Sequence, residues 1–272
     1  MFLEDVVETN SIASAKWKAY GFANGVLNTD NTSIMGTSMD YGPFSFIDAY
    51  NEDWTPNRDD LSKRYSLGNQ SKIIWWNVLR FAESQTMLIG AGEKYIEGVK
   101  NKSVEIDKEV AQFLMDRTVK VLEYAETEFD FYQNFTYVSV MLERLGLDPT
   151  LVLSLPSNIA SLSKHDFVSL TKNVDDIKTN LINKLLNVLN QTNVDYNDFF
   201  IRFQQVNTVD IVNKDKTIKD EYLDCFTAVH EQENASVNED CIANIDKMFD
   251  SHLLDTNSAI YKNFFAFLQE YN

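Results

Sequence analysis

The sequence predicts a mainly α protein with one small β-hairpin. Apolar side chains recur at helical spacing along most of the chain. Between Asp175 and Gln191, for example, Ile177, Leu181, Ile182, Leu185, Leu186 and Leu189 fall on one helix face. Two short runs, Thr32 to Met35 and Thr37 to Met39, flank Gly36, and such runs around a glycine read as a tight hairpin. Residues 43 to 71 carry Pro43, Pro56, Gly68 and many Asx residues, the composition of an irregular segment.

Taken in order, residues 4 to 20 form a helix with Val6, Val7, Ile12, Ala15 and Trp17 as its apolar positions. The loop and hairpin occupy 24 to 42, and the irregular segment 43 to 71. Ile73 to Leu88 reads as a buried helix, because Ile74, Trp75, Val78, Leu79 and Phe81 leave little room for a polar face. Gly90-Ala91-Gly92 follows this apolar helical stretch and reads as a helix C-terminus. Glu105 to Tyr124 and Glu128 to Leu145 read as two amphipathic helices, the second ended by Gly146. Pro149 and Pro156 bracket a connector before the helix of 175 to 191. Asp195 is placed to N-cap a helix over Phe199 to Phe203. Beyond a polar loop at 208 to 217, helices are expected around 218 to 231, 238 to 253 and 258 to 271. There is no internal repeat, so residues 1–272 are expected to form one helical domain.

Composition excludes several functions. The net charge of −17 argues against nonspecific nucleic-acid binding, which needs a basic face. No run of about 18 apolar residues occurs, so no membrane-spanning helix is expected. The first residues are acidic and lack arginine, unlike a signal peptide or a mitochondrial presequence. Cys225 and Cys241 lack metal-type spacing and read as reduced thiols. His165, His230 and His252 share no ligand spacing and are expected to face solvent, and Ser154, Ser161 and Ser163 lack a nucleophile-elbow context.

Chemistry concentrates in Asn28-Thr29-Asp30-Asn31 and Asp40-Tyr41-Gly42. A hairpin between them brings Asn31 and Asp40 to one point in space. A carboxylate and an amide oxygen there suit Mg²⁺, which takes oxygen ligands and keeps water or phosphates in the rest of its shell. Asp30 is then free to point toward a hydroxyl that it deprotonates. A base, an amide on the metal and a second acid on the metal are the parts of a protein-kinase catalytic loop with its Asp-Phe-Gly element.

Gly25-Val-Leu-Asn-Thr-Asp-Asn31, Asp40-Tyr-Gly-Pro-Phe44, Arg64-Tyr-Ser66, Asn69-Gln70 and Trp76-Asn77 together resemble the SelO family of protein adenylyltransferases, kinase-like enzymes that move AMP from ATP onto protein hydroxyls. The resemblance is dense from about Trp17 to Gly92 and looser at Asp195-Tyr-Asn-Asp-Phe-Phe200. It implies that Asp30 is the catalytic base, that Asn31 and Asp40 hold Mg²⁺, and that Asp40 also lies against the nucleotide phosphates. In the family ATP sits reversed relative to kinases, so AMP goes to the target. Two positions depart from the pattern: Asn24 stands where many members carry His, and Ser71 where they carry Pro.

Only 29 residues precede Asp30, whereas a kinase-type nucleotide lobe needs roughly 80 to 100. The expected fold is therefore a protein-kinase-like C-terminal lobe with the N-terminal nucleotide lobe absent. The expected function is Mg²⁺-dependent AMP transfer from ATP to Ser, Thr or Tyr of proteins, by half of an enzyme. An upstream nucleotide-lobe polypeptide is an expected partner, nucleic acid and membrane are not, and mitochondria are the location the resemblance implies, with cytoplasm as the alternative. The competing reading is an inactive pseudokinase remnant that binds metal or a partner protein. For Arg64 the expectation is a structural ion pair; for Tyr65, Trp75 and Trp76 it is core packing.

Overall fold

The computed structural model describes residues 2–153 and 164–203. The helices expected beyond 204, together with Ser154, Ser161, Ser163, Cys225, Cys241, His230 and His252, lie outside the described residues. The described chain is mainly helical: α1 (Phe2–Tyr20), α2 (Gln70–Ser84), α3 (Thr86–Lys100), α4 (Lys108–Arg144), α5 (Pro149–Val152), α6 (Lys164–Ile177), α7 (Asn183–Thr192) and α8 (Tyr196–Phe203). Two two-residue strands, β1 (Phe22–Ala23) and β2 (Ser45–Phe46), pair as a small sheet. The chain divides into two compact units. Of the described residues, the first holds those to Trp17, Ala23–Ser45 and Thr55–Gln133; the second holds Lys18–Phe22, Phe46–Trp54 and those from Asn134 to Phe203.

In the first unit, Leu3, Val6 and Val7 of α1, Leu27, Ile74, Val78 and Ala82 of α2, and Ala125 and Phe129 of α4 form one buried cluster. Each Val, Leu, Ile or Phe among them contributes about 1.5–3 kcal/mol on removal from water. The expected helix over 73 to 88 is two helices. Ser84 Oγ donates to Phe81 O (2.6 Å) and Thr86 Oγ1 to Glu83 O (2.7 Å), and side-chain bonds of this kind compete with the helix ladder. Nor is α2 apolar all round: Ile74, Asn77 and Val78 are buried, but Trp76 is 41% exposed. The expected helix end at Gly90-Ala91-Gly92 is an interruption instead. Gly92 (φ 50°, ψ −160°) breaks α3, and a second helical piece runs on to Lys100.

The two helices expected over 105 to 145 are one, α4, because nothing in Ala125-Glu126-Thr127 stops it. Gly146 ends it as expected. Its φ is +73°, Leu147 N–H donates to Leu142 O (2.9 Å) and Gly146 N–H to Glu143 O (3.0 Å), the paired closing bonds of a Schellman motif. The helix expected over 175 to 191 starts earlier and runs as α6, a π turn at Lys178–Ile182, and α7.

The second unit packs around aromatic rings. Tyr196 stacks on Tyr50 (5.7 Å) and meets Phe200 edge-on (5.3 Å). Asp195 caps α8 as expected, accepting from Asp198 N–H at 2.7 Å, though α8 begins at Tyr196. Burial pushes the Tyr196 hydroxyl up to about 12. Burial would also raise Glu52, but the ion pair with Lys18 (3.1 Å) and the Tyr50 hydroxyl (2.9 Å) hold it below the ordinary carboxylate range.

Candidate active site

The loop that carries Asp30 is held almost entirely by side-chain amides. Asn24 is fully buried. Its amide nitrogen donates to Ser38 Oγ (3.0 Å) and Met39 O (3.1 Å), and its oxygen accepts from Val26 N–H (3.1 Å). One side chain thus ties the start of the loop to the residue before Asp40. Asn77 of α2 reaches up from below, donating to Leu27 O (2.9 Å) and Thr32 Oγ1 (2.7 Å). Asn57 donates to Gly25 O (3.1 Å) and Tyr65 Oη to Asn28 Oδ1 (2.5 Å). Thr29–Asn31 form a single 3₁₀ turn, closed by Asn31 N–H to Asn28 O at 3.1 Å.

The hairpin is smaller than its sequence suggests. Its pairing is one antiparallel bridge, Thr32 to Ser38, around a turn closed by Gly36 N–H to Ser33 O (3.1 Å). Gly36 has φ +66°, and a Cβ there would lie 2.5 Å from Thr9 O. Both the backbone conformation and the approach of α1 therefore require glycine. Asn10, also on α1, donates to Ser33 O (3.0 Å) and fixes the turn from the same side.

This framework brings Asn31 and Asp40 together. Asn31 Nδ2 lies 3.2 Å from Asp40 Oδ2, nine residues away, and 3.2 Å from Val26 O. Both donor hydrogens of the amide are thereby used, and among the described residues its oxygen accepts nothing. Asp40 is exposed and adopts φ +55°, a left-handed conformation that Asp tolerates better than most residues and that strained functional loops often contain. Asp30 is exposed too, and its carboxylate has no hydrogen-bond or ion-pair partner among the described residues.

This donor set fits Mg²⁺ rather than a cation caged by protein. The Asp40 carboxylate lies against the Asn31 amide nitrogen, the amide oxygen of the same side chain is unused, and no group of three His, Cys, Asp or Glu side chains gathers among the described residues. Mg²⁺ is held in just this way, by one or two protein oxygens with substrate phosphates and water completing an octahedron.

The surroundings differ from expectation at Arg64. Its guanidinium forms no ion pair among the described residues; it lies 5.2 Å from the Trp76 ring and 5.8 Å from that of Tyr65. Arg80 covers Trp76 from another direction at 5.2 Å. Trp75 packs as expected, 5.2 Å from Phe129. His165 faces solvent, with its side chain 93% exposed. Asn57 and Asn77 were not marked by the sequence as loop-holding residues, though Asn77 belongs to a quoted motif; Asn24 was marked only as a departure at a position that bears on loop geometry.

Comparison with known proteins gives a consistent result. A family model described as "Protein adenylyltransferase SelO" matches residues 1–272. The mitochondrial protein adenylyltransferase SelO of Saccharomyces cerevisiae is 35% identical over 260 residues, covering 92% of this chain and 37% of the yeast protein. Its Schizosaccharomyces pombe counterpart is 44% identical over 150 residues, 53% of this chain and 26% of that one. The protein nucleotidyltransferase YdiU of Pseudomonas fluorescens is 31% identical over 242 residues, 88% of this chain and 38% of its own length. The chain therefore spans well under half the length of these relatives.

Proposed function

The chain belongs to the SelO family, and from that premise we propose that it carries the base and metal side of a protein adenylyltransferase active site. The observation that supports this most is the meeting of Asn31 and Asp40 at 3.2 Å, with Asp30 exposed and free one residue before Asn31. In this reading the substrate is a Ser, Thr or Tyr hydroxyl of a protein and the AMP donor is ATP. Asp30 accepts the hydroxyl proton as the oxygen attacks the α-phosphorus, and pyrophosphate leaves. Asn31 and Asp40 hold Mg²⁺, with Asp40 also beside the phosphates. Mg²⁺ bound there supplies charge neutralisation at the transferred phosphate. The protein's own contribution is position: Asn24 and Asn77 fix the two ends of the loop, so little reorganisation is needed when substrate arrives.

In the same reading, the nucleotide-binding part of the enzyme lies outside these 272 residues and packs against the Asp30 loop. Exposed apolar side chains around the loop support this: Met35 is 74% exposed, Tyr41 59% and Ile34 47%, and clustered exposed apolar groups mark interaction sites. Mitochondria are the proposed location, after the names of the two yeast relatives.

The test is Asp40→Asn. It removes a charge from an exposed position and should leave the fold within about 0.5 kcal/mol of the parent. Mg²⁺·ATP-dependent AMP transfer should be abolished. An unfolded variant, or a folded one with undiminished transfer, would contradict the assignment of Asp40.

A further inference from the structure

We propose that Arg144 and Asn197 form a binding site for a small oxyanion, a carboxylate or phosphate group, that shares no residue with the Asp30 loop. Arg144 is only 6% exposed, and no carboxylate lies within ion-pair distance of it among the described residues. Its guanidinium presents five N–H donors, and the acceptors that meet them are neutral, the Tyr196 hydroxyl included. Nη1 donates to Ala19 O, and Nη2 to Asn197 Oδ1 at 2.8 Å. The rest of its surroundings are ring faces: Phe200 at 3.8 Å, Tyr196 at 4.8 Å and Tyr20 at 5.2 Å. These rings favour a cation but carry no counter-charge.

A buried cation without an anion is costly, and buried charges in proteins are as a rule paired or engaged with a ligand. Burial pulls the Arg144 guanidinium below its ordinary value, yet an arginine stays charged at neutral pH, so the unmatched charge persists. Beside it lies a cavity of about 460 Å³ lined by Tyr20, Glu143, Arg144, Asn197, Phe200 and Ile201. That volume is at the small end of ligand sites. Asn197 uses its oxygen on Arg144, which leaves its amide hydrogens beside the guanidinium, and the two residues together present N–H donors to one space. Glu143 is exposed and is the one carboxylate in the lining. It disfavours highly charged anions and so sets a preference for a small group of low charge.

The experiment is isothermal titration of the 272-residue chain, at constant ionic strength in chloride, with inorganic phosphate and separately with acetate. Asn197→Asp is titrated in parallel. That variant places a carboxylate where the amide oxygen now accepts from Arg144, so it supplies the missing counter-charge from within. The expected result is saturable binding of one anion per chain, weakened roughly tenfold or more in Asn197→Asp, with a higher Tm of that variant in chloride buffer without phosphate or acetate. Tighter binding of phosphate identifies a phosphorylated ligand, and tighter binding of acetate a carboxylate ligand. Absence of saturable binding of either anion would overturn the proposal and leave Arg144 as a purely structural cap on the end of α1. Equal affinity of parent and Asn197→Asp would overturn it as well, since the anion would then bind elsewhere.

Discussion

Asn24 does more for the site than either metal-type ligand does for the fold. It is fully buried, and its three hydrogen bonds connect Val26, Ser38 and Met39. Asn24→Ala removes three part-buried hydrogen bonds and leaves an unfilled polar space at a fully buried position, and a partly buried group left unpaired costs some of its desolvation. The expected loss is about 1–3 kcal/mol by urea denaturation; a loss indistinguishable from that of an exposed Asn→Ala change would show that the amide does not hold the loop. The approach of Asn31 to Asp40 was legible in the sequence because a hairpin is local geometry, and nine residues around one turn can be folded on paper. The residues that hold the loop were not, because their bonds span 32 residues from Asn57 to Gly25, 37 from Tyr65 to Asn28 and 50 from Asn77 to Leu27. Nothing in local spacing announces such a partner. Arg64 was misread for a related reason: acidic residues are near it in sequence, but the rings of Trp76 and Tyr65 are what reach its guanidinium.

The turn at Ser33 to Gly36 is the element on which the approach of Asn31 to Asp40 depends. Gly36 and Gly146 both have positive φ, but only Gly36 is crowded: a Cβ there meets Thr9 O at 2.5 Å, whereas nothing lies within 4 Å of one at Gly146. Gly146→Ala should cost only the backbone term of about 1–2 kcal/mol. Gly36→Ala should cost more, because α1 must also move. Thermal unfolding of the two variants side by side checks this, and equal losses would contradict the close packing of the turn on α1. Among the helices, apolar periodicity marked α1, α2, α4, α7 and α8, but not α5, the part of α3 beyond Gly92 or the start of α6. Apolar periodicity carries straight through Ala125-Glu126-Thr127, so α4 reads as two helices only if those polar residues are given too much weight. Conversely, Ser84 and Thr86 break the apolar run over 73 to 88 through bonds to their own backbone, a local competition that a count of apolar residues does not register.

Over the whole chain the family match runs from residue 1 to 272, while the chain corresponds to 37% of the S. cerevisiae relative. The charge of −17 gives a field that favours basic or neutral partners over other acidic surfaces. The central claim is that this chain brings a working base to AMP transfer. Its most direct measurement is label transfer from ATP in Mg²⁺ to a generic acceptor protein, with label on the α- or the γ-phosphate. The chain is supplied with the part of the S. cerevisiae relative that lies outside the matched region, and Asp30→Ala is run beside it. The account predicts transfer of α-label alone, lost in Asp30→Ala. Transfer of γ-label, or α-label transfer that survives the loss of Asp30, would contradict it.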